Sequence, residues 1–543
     1  MGNKNFKLTK LALALGVTVS LAGCFSDNDN DVTVTPPDPD PGTITVPSPD
    51  TPAALSSYVS VTVTDSATGN VVDNATVTFF ENGAASTNVT DLDGADIASQ
   101  TSADGAFAFK TKDGVTSLTL AVSAADYLDG SAVVALSGDA SAVNVAVNLV
   151  SKANLAVASQ ADLATAEGKL AAALSVEADS ANGGAKLDIP TTVTLQDADG
   201  NAITGAVSVE VATADLSAEA GKASAASIIP AGLNAGNTTN VLVPAGIVTV
   251  NISAGDTAVK QLSEAVTLTT NFPETYKKSD GTDLAQNDAF DVYAYDETKA
   301  SWSKLDSQAV VAAKSGTVFP ASFETTHFSS FVPVETVTGC SEEISFAFTG
   351  DAVPASGLNM KIVSSAIDKT KIVNSASGVL YAQGTAGAAG ITSSATADVQ
   401  VSDANGNVWG TASNVALCNN SATQADIEIA LEAPVTYVNQ DFSLTYTCSN
   451  TDQPTNQLAF TGALVRYNQE GKAPLIAAET DGTYALTGLV SGATYEVSVI
   501  PVGVDVGDAS LTVPTFTAAA GEAVSFNVGR SNCQTSTVTG SGS

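Results

Sequence analysis

"VTLQDADGNAITGAVSVEV", residues 193–211, carries the pattern that decides the fold. Apolar and polar residues alternate on both sides of a short segment of Asp, Gly and Asn. A period of two is typical of a strand with one buried face, and Asp, Gly and Asn favour tight turns because they tolerate a positive φ. The stretch therefore predicts two antiparallel strands joined by a turn.

The same strand-turn-strand pattern recurs at residues 61–79 and 399–417, and Val and Thr alternate with other residues along most of the chain. Helical periodicity is weak, and residues 158–175 are the one stretch that suggests a helix. We therefore predict an all-β chain of tandem antiparallel β-sandwich domains, Ig-like or transthyretin-like. The repeated pattern resembles the Ig-like repeats of bacterial adhesins and invasins.

The N-terminus has the features of a processing signal. Three lysines in the first ten residues precede a short apolar stretch, residues 11–23, which ends in Leu21-Ala22-Gly23-Cys24. This ending resembles the lipobox of bacterial lipoproteins. The resemblance implies that residues 1–23 are removed and that acyl chains on Cys24 anchor the protein, whereas the alternative is an ordinary signal peptide. Because Phe25 follows Cys24, the resemblance implies the outer membrane, with a surface-exposed or a periplasmic orientation.

Residues 24–55 predict a disordered tether. Seven prolines and six aspartates lie within residues 25–55, too few apolar residues remain to form a core, and proline stiffens such a segment. The last residues, "QTSTVTGSGS", also predict a loose segment. The expected tether would hold the folded part away from the lipid.

The charge of the chain restricts its partners. Without the three leader lysines, 18 basic residues face 57 acidic ones, which gives a net charge near −39. Such a surface repels nucleic acid and anionic lipid, so we expect no nucleic-acid partner. The expected partners are the membrane, through the acyl chains, and envelope or extracellular proteins or polysaccharide.

Four cysteines remain after Cys24, and none of them belongs to a CxxC or a Cys/His cluster. In an oxidising compartment four cysteines predict two disulfide bonds, with three possible pairings. We favour Cys340–Cys418 and Cys448–Cys533, because each bond would then close one compact domain. No metal site is expected from the cysteines.

Two regions resemble known β modules. In residues 56–152, the stretches 101–110 and 118–136 resemble elements of the carboxypeptidase regulatory-like, transthyretin-like sandwich, a non-catalytic accessory module. In that family the element that residues 101–110 resemble is a hairpin, and Asp126 stands where the family usually has glycine. Residues 165–335, within a predicted unit 153–337, resemble the β units of netrin receptors and of GAIN domains.

The segment THFSSF, residues 326–331, closes that second unit and contains the one histidine of the chain. Self-cleaving relatives of the GAIN type cut at a His-Phe-Ser or similar tripeptide. By that resemblance, Ser329 would attack the Phe328 carbonyl while His327 takes the hydroxyl proton. The alternative, which we favour, is a histidine hydrogen-bonded within a strand, because residues two apart in a regular strand lie about 6.6 Å apart.

A calcium site is a further possibility. Asp197, Asp199 and Asn201 present alternating oxygen side chains, which suit Ca²⁺, but a complete site needs six to eight oxygens. Turn chemistry is the favoured interpretation. Apart from possible calcium, no cofactor is expected.

The last two predicted domains, residues 338–428 and 429–543, look like related sandwiches. Each contains a cysteine followed by "AFTG", which suggests a duplication. The favoured function is a non-enzymatic, lipid-anchored scaffold for adhesion, matrix or interaction, with no catalytic residues. The alternatives are a self-processing surface protein cut between Phe328 and Ser329 and a carbohydrate-binding lipoprotein, for which two tryptophans are a poor supply of sugar platforms.

Overall fold

A computed structural model describes residues 43–47, 58–136, 143–180, 183–214, 228–237, 239–255, 257–364, 367–419, 424–502, 511, 513, 515–531 and 533–539. Nearly all regular structure in these ranges is β-strand, with 3₁₀ turns at Lys152–Asn154 and Gly387–Ala389. The predicted all-β class is confirmed. The strands form four units, which we number along the chain, and each of them has its own buried apolar cluster.

The first unit is a sandwich of two sheets, in the strand orders β10-β2-β7-β5 and β4-β3-β8-β9, with β6 added beside β3. Its inward residues, such as Phe79 and Phe109, form the core, where their rings lie 4.8 Å apart. After β1 (Thr43–Pro47), its strands are β2 (Val59–Asp65), β3 (Ala75–Glu81), β4 (Ala84–Ala85), β5 (Val89–Thr90), β6 (Ser99–Ser102), β7 (Ala106–Thr111), β8 (Ser117–Ser123), β9 (Gly130–Ala135) and β10 (Val143–Leu149).

Two details of the first unit bear on its expected resemblance. The turn at Asp104-Gly105 does not close a hairpin, because β6 pairs with β3 and β7 pairs with β2, in the other sheet. The turn therefore carries the chain between the sheets, a correction to the expected hairpin. Asp126, where the resembled family usually has glycine, adopts φ 64°, a conformation that glycine reaches without strain.

The second unit is the largest. Its main sheet runs β11-β17-β19-β25-β22-β23-β24-β21-β15-β14, and the stretch that suggested a helix, residues 158–175, forms strands instead. The strands are β11 (Ala156–Leu163), β12 (Thr165–Ala166), β13 (Lys169–Leu170), β14 (Leu174–Ser180), β15 (Gly183–Ile189), β16 (Leu195–Gln196), β17 (Val207–Thr213), β18 (Asn240–Pro244), β19 (Val248–Ala254), β20 (Thr257–Ala258), β21 (Gln261–Pro273), β22 (Ala289–Asp296), β23 (Ser301–Val311), β24 (Val318–His327) and β25 (Ser330–Thr338).

The third unit pairs a three-stranded sheet, β29-β26-β32, with a four-stranded one, β28-β27-β30-β31. Its strands are β26 (Ile344–Gly350), β27 (Leu358–Val363), β28 (Asp368–Val373), β29 (Ser377–Tyr381), β30 (Thr396–Ser402), β31 (Val408–Ala416) and β32 (Ile427–Leu431). Since Leu431 belongs to its buried core, the expected boundary at residue 428 would cut β32, and the third unit continues beyond Leu431.

The fourth unit has a sheet β34-β33-β38-β37, with β41 beside β33, and a second sheet β36-β35-β39-β40. Phe348 lies within the first strand of the third unit, whereas Phe460 follows the second strand of the fourth, so the two "AFTG" motifs are not equivalent. The strands are β33 (Tyr437–Cys448), β34 (Leu458–Ala459), β35 (Ala463–Asn468), β36 (Leu475–Ile476), β37 (Ala478–Thr480), β38 (Thr483–Val490), β39 (Thr494–Pro501), β40 (Phe516–Thr517) and β41 (Ala523–Arg530).

Three units pair their first and last strands in parallel. These pairs are β2 with β10, β26 with β32, and β33 with β41. The prediction of antiparallel sandwiches holds for the other strand pairs but not for these three. Each parallel pair joins the beginning of a unit to its end, and it therefore closes that unit.

The units are consecutive in sequence, but the first unit contacts each of the other three. Phe80 packs with Tyr295 of the second unit. Asn148 donates from Nδ2 to Thr370 Oγ1 of the third unit at 3.3 Å. The buried Arg466 of the fourth unit donates from Nη1 to the backbone oxygen of Ala106 in the first unit at 3.1 Å. These two units also share a small buried apolar cluster, which consists of Leu92, Ala108, Leu464 and Val502.

The two ends of the described chain also meet. Strand β1 (Thr43–Pro47) pairs antiparallel with β42 (Thr535–Thr539), and the amide and carbonyl of Thr45 both bond to Asp452 of the fourth unit. The expected loose tether and loose tail are therefore wrong for these residues. Both segments are runs of β-branched residues, which favour strands. Residues 24–42 and 48–55 lie outside the described residues.

The third and fourth units each contain one disulfide bond. Cys340 is bonded to Cys418 and Cys448 to Cys533, each with a Cα–Cα distance of 5.8 Å. These are the two favoured pairings. The first bond ties the segment before β26 to the segment after β31, whereas the second ties the end of β33 to the segment after β41.

We predict that Gly350→Ala destabilises the third unit by about 3 kcal/mol. Gly350 has φ 86°, and a Cβ there would lie 2.2 Å from the backbone oxygen of Leu431 in the paired strand β32. Urea unfolding of the full chain, followed by Trp409 fluorescence in a Trp302→Phe background, measures this unit because Trp409 lies in its core.

The matched control for this substitution is Gly384→Ala in the same unit. Gly384 has φ 76°, but a Cβ there would meet nothing within 4 Å, so only the backbone cost of about 1 kcal/mol applies. Equal losses for the two variants would show that the close approach to Leu431 is not what requires glycine at residue 350.

We also predict that the Cys340→Ser/Cys418→Ser variant loses about 4.5 kcal/mol in the third unit, because an open loop of 78 residues raises the entropy of its unfolded state. The same fluorescence assay measures the loss. Non-reducing peptide mapping of the natural chain should yield the two bonds above, and a peptide joining Cys418 to Cys448 would contradict the assignment.

Candidate functional site

The His-Phe-Ser tripeptide lies where the chain crosses between two strands that are not neighbours. Strand β24 ends at His327 and β25 begins at Ser330, and in the sheet order β22 and β23 lie between them. The chain therefore bends at Phe328 and Ser329. The Phe328 side chain is 3% exposed and belongs to the core of the second unit.

Ser329 is bonded into the sheet on both sides. Its hydroxyl donates to the backbone oxygen of Tyr295 on β22, and its own carbonyl accepts from the amide of Val250 on β19 at 3.0 Å. The residue is buried, at 3% exposure. The hydroxyl proton is thus held by a carbonyl and is not directed at a base.

His327 has other neighbours. Its Nδ1 lies 3.4 Å from the hydroxyl oxygen of Thr325, and its ring lies 5.4 Å from the ring of Phe331. Burial lowers the pKa of His327, while the nearby Asp296 opposes that shift, so the imidazole is neutral at pH 7. A neutral imidazole is able to act as a base, but the contacts of these described residues include no hydrogen bond from His327 to Ser329.

The predicted Asp-Gly-Asn turn is present at residues 197–201. Asp197 Oδ1 accepts from the amides of Asp199 and Asn201 at 2.9 and 2.8 Å, and Oδ2 accepts from Asn201 Nδ2 at 3.1 Å. These hydrogen bonds lower the pKa of Asp197, and the bond from the Asn201 side chain contributes most to the shift. Its carboxylate closes the turn, as does that of Asp403, which accepts from the amides of Asn405 and Asn407.

A cleft of about 230 Å³ lies between the first and second units. Phe80 from β3 and Tyr295 from β22 supply aromatic walls, and Ile228 adds an aliphatic one. Ser330, the first residue after the tripeptide, lines the same cleft and lies 3.0 Å from Thr249 through their hydroxyl oxygens. The start of β25, directly after the bend, therefore forms part of the wall of this cleft.

Three charged side chains, those of Asp129, Lys152 and Glu297, line the cleft. Lys152 and Glu210 form an ion pair at 2.8 Å, and Lys260 pairs with Glu297. Asp129, which lies on the segment before β9, lines the cleft and is an exposed residue. Enclosure by protein raises the pKa of Asp129 to about 6, repulsion from Glu297 adds to the shift, and Lys152 and Lys260 oppose it.

Sequence reasoning did not find this cleft. Asp129, Lys152 and Glu297 are separated along the chain and share no motif. They meet because the first unit packs on the second. The one signal for this cleft in the sequence is Tyr295, an aromatic residue in an alternating stretch close to Trp302. Trp302 is half-buried beside Tyr295 at 5.2 Å and donates from Nε1 to the Pro230 oxygen at 3.0 Å, so it is a packing residue.

In the described parts of the chain, no group of three or more His, Cys, Asp or Glu side chains is placed to hold a metal ion. Nor does any helix there have the length and apolarity that a membrane crossing requires. Cys24 and the leader lie outside the described residues.

No protein-family model matches the chain, and no curated protein matches it. Solved structures with some similarity include GBS52, the minor pilin of Streptococcus agalactiae, with 9% identity, 36% of this chain and 98% of that chain covered, and a TM-score of 0.17. BcpA, the major pilin subunit of Bacillus cereus, has 10% identity, covers 88% and 99% of the two chains, and has a TM-score of 0.15.

Two B repeat units of the collagen binding protein of Staphylococcus aureus give similar values. They have 10% identity, cover 82% of this chain and 92% of that chain, and have a TM-score of 0.12. These similarities therefore assign neither a family nor a function.

We predict that the protein does not cleave itself between Phe328 and Ser329, because the Ser329 hydroxyl donates to the Tyr295 oxygen and not to His327. Purified protein should run as one band on a denaturing gel after long incubation, and Ser329→Ala should run in the same way. Two bands of roughly 30 and 21 kDa, at the chain's average of about 100 Da per residue, that disappear in Ser329→Ala would contradict this prediction.

Proposed function

We propose that the chain is a non-enzymatic, lipid-anchored protein of the bacterial cell envelope that acts as a scaffold for adhesion, matrix or interaction. The observation that carries the anchoring is the sequence Leu21-Ala22-Gly23-Cys24 at the end of a basic and apolar leader. Stable anchoring requires two acyl chains or a second signal, because a single chain binds membranes only marginally. The outer membrane is the proposed location.

The arrangement of the described units supports a scaffold. Four β units pack together, two of them carry disulfide bonds, and strand β1 is held against the fourth unit. Disulfide bonds suit an oxidising compartment outside the cytoplasm. The acidic surface, with a formal net charge of −36 for the whole chain, favours solubility and disfavours nucleic acid.

Enzymatic function has little support from the residues most able to perform it. The single histidine contacts Thr325 and Phe331, and the Ser329 hydroxyl is bonded to the backbone. Hydrolysis of an outside substrate by a histidine-dependent route would have to use His327, since no second histidine exists in the sequence.

Carbohydrate binding through exposed tryptophans also has little support. Trp302 packs against Tyr295 and donates to a backbone oxygen, and Trp409 is 5% exposed and stacks on Tyr437 at 5.1 Å. Neither indole is a fully exposed platform of the kind that sugars stack on. The partners that we propose are envelope or extracellular proteins.

We expect Cys24→Ser to release the protein from the membrane fraction and to reduce labelling by radioactive palmitate at least tenfold, because the acylated thiol is lost. Ser26→Ala, two residues further on, is the control and should remain labelled and membrane-bound. Equal fractionation of Cys24→Ser and the natural protein would contradict lipid anchoring.

The orientation is a separate question with a separate experiment. We expect a protease added to intact cells to degrade the protein, as it would a scaffold that meets extracellular partners. Full protection in intact cells, together with degradation after the outer membrane is opened, would contradict an outward-facing role. This protease experiment tests orientation alone, because its outcome does not depend on whether Cys24 is the lipidated residue.

A further inference from the structure

A groove of about 360 Å³ lies where the first, third and fourth units meet. Strands β2 and β10 of the first unit line it, together with β27, β28 and β30 of the third unit and residues 473–476 of the fourth. Successive side chains of a strand point to opposite faces, and Val61, Met360 and Val401 point into the two cores. The side chains in the groove are therefore the outward ones of two sheets.

Most of these outward side chains are polar and uncharged. Strand β2 contributes the hydroxyls of Thr62 and Thr64, whereas β10, β27 and β30 contribute the amides of Asn144, Asn359 and Gln400. Asn144 and Gln400 are exposed and Asn359 is half-buried, so a ligand in the groove is able to reach all three amides. Each amide has an acceptor oxygen and two donor hydrogens, and each hydroxyl is both donor and acceptor. The groove thus offers donors and acceptors from two units to one ligand.

The charged side chains that line the groove are already engaged. Lys361 lies 3.7 Å from the carboxylate of Asp368 and donates to the backbone oxygen of Ser66 at 3.1 Å. Asp65 and Asp403 are 7% and 5% exposed, and each accepts backbone amides within its own turn. The surface that a ligand meets is therefore carried by neutral groups, and the formal charge of −36 on the whole chain disfavours an acidic ligand.

An apolar strip lies in the same groove. Ile372 is 43% exposed, and Leu475 and Ile476 of the fourth unit are half-buried beside the groove. A sugar ring combines hydroxyl groups at its rim with an apolar face of C–H groups, so it suits amides next to an aliphatic surface. An extended peptide is recognised chiefly by the unpaired backbone of a strand edge, whereas here the polar groups are side chains on sheet faces.

We propose that this groove binds a neutral oligosaccharide, with the amides of Asn144, Asn359 and Gln400 bonding to its hydroxyls and Ile372 packing against a ring face. The volume of about 360 Å³ is at the lower end of the range of about 300–1,000 Å³ that is typical of ligand sites. Binding in this way needs no exposed tryptophan. It adds a saccharide ligand to the proposed scaffold and does not depend on the lipid anchor.

Binding to the full mature chain is tested by calorimetry and by saturation-transfer NMR at pH 7.5. The probes are maltohexaose, cellohexaose and mannohexaose, with hexagalacturonate as the acidic counterpart and acetyl-Thr-Val-Thr-Val-Thr-amide as an extended peptide. We expect saturable binding of at least one neutral hexasaccharide, with a Kd between about 0.1 and 10 mM, and at least tenfold weaker binding of hexagalacturonate. Binding of the peptide alone would overturn the proposal and would indicate a protein partner for this groove.

Variants locate the site. Asn359→Ala and Gln400→Ala should each weaken binding of the hexasaccharide at least threefold, because each removes an amide that lines the groove. Gln424→Ala, in the same unit but outside the groove, is the matched control and should bind as the natural chain does. Circular dichroism and urea unfolding check that the variants fold.

Asn144→Ala tests the contribution of the first unit and should also weaken binding at least threefold. Two results would overturn the proposal. One is that no neutral hexasaccharide binds at about 10 mM, and the other is that the Asn359→Ala/Gln400→Ala double variant binds as well as the natural chain.

Discussion

The parallel pairing of first and last strands is the constraint on which the rest of the structure depends. In a parallel pair both strands run the same way, so a chain that enters a unit at one end leaves it at the other. In the first unit this pair joins Val59 to Val143, and in the third it joins Phe346 to Ile427. Each of the three units with such a pair is thus closed by residues far apart in sequence, and closing it carries the entropic cost of ordering a long stretch of chain.

The closed units pack around the first one, and this packing creates the features that distinguish the molecule. Arg466 lies between the fourth and first units with a single hydrogen bond, and burial lowers the pKa of its guanidinium. A buried cation of this kind is costly, and the neighbouring apolar contacts, such as Leu92 with Leu464, offset the cost. The cleft with Asp129 arises in the same way, since residues of the first and second units together form its walls.

The His-Phe-Ser segment takes its role from this architecture. The chain must pass from β24 to β25 across two intervening strands, and the bend at Phe328 and Ser329 performs that passage. Phe328 fills the core, the Ser329 hydroxyl ties the start of β25 to β22, and Ser330 reaches the cleft. The same three residue types that perform self-cleavage in other folds serve here to hold a bend in place.

The sequence by itself determined the all-β class and the Asp-Gly-Asn turns at Asp197 and Asp403, because these depend on local periodicity and local hydrogen bonds. It favoured the two disulfide pairings among three, because each closes one compact domain. Only the tertiary structure decided that Thr43–Pro47 pairs with Thr535–Thr539, that β6 and β7 belong to different sheets, and that Asp129 faces Tyr295 across a cleft. Those features join residues that are distant in sequence, and their pairing depends on which surfaces remain unburied after each unit has closed.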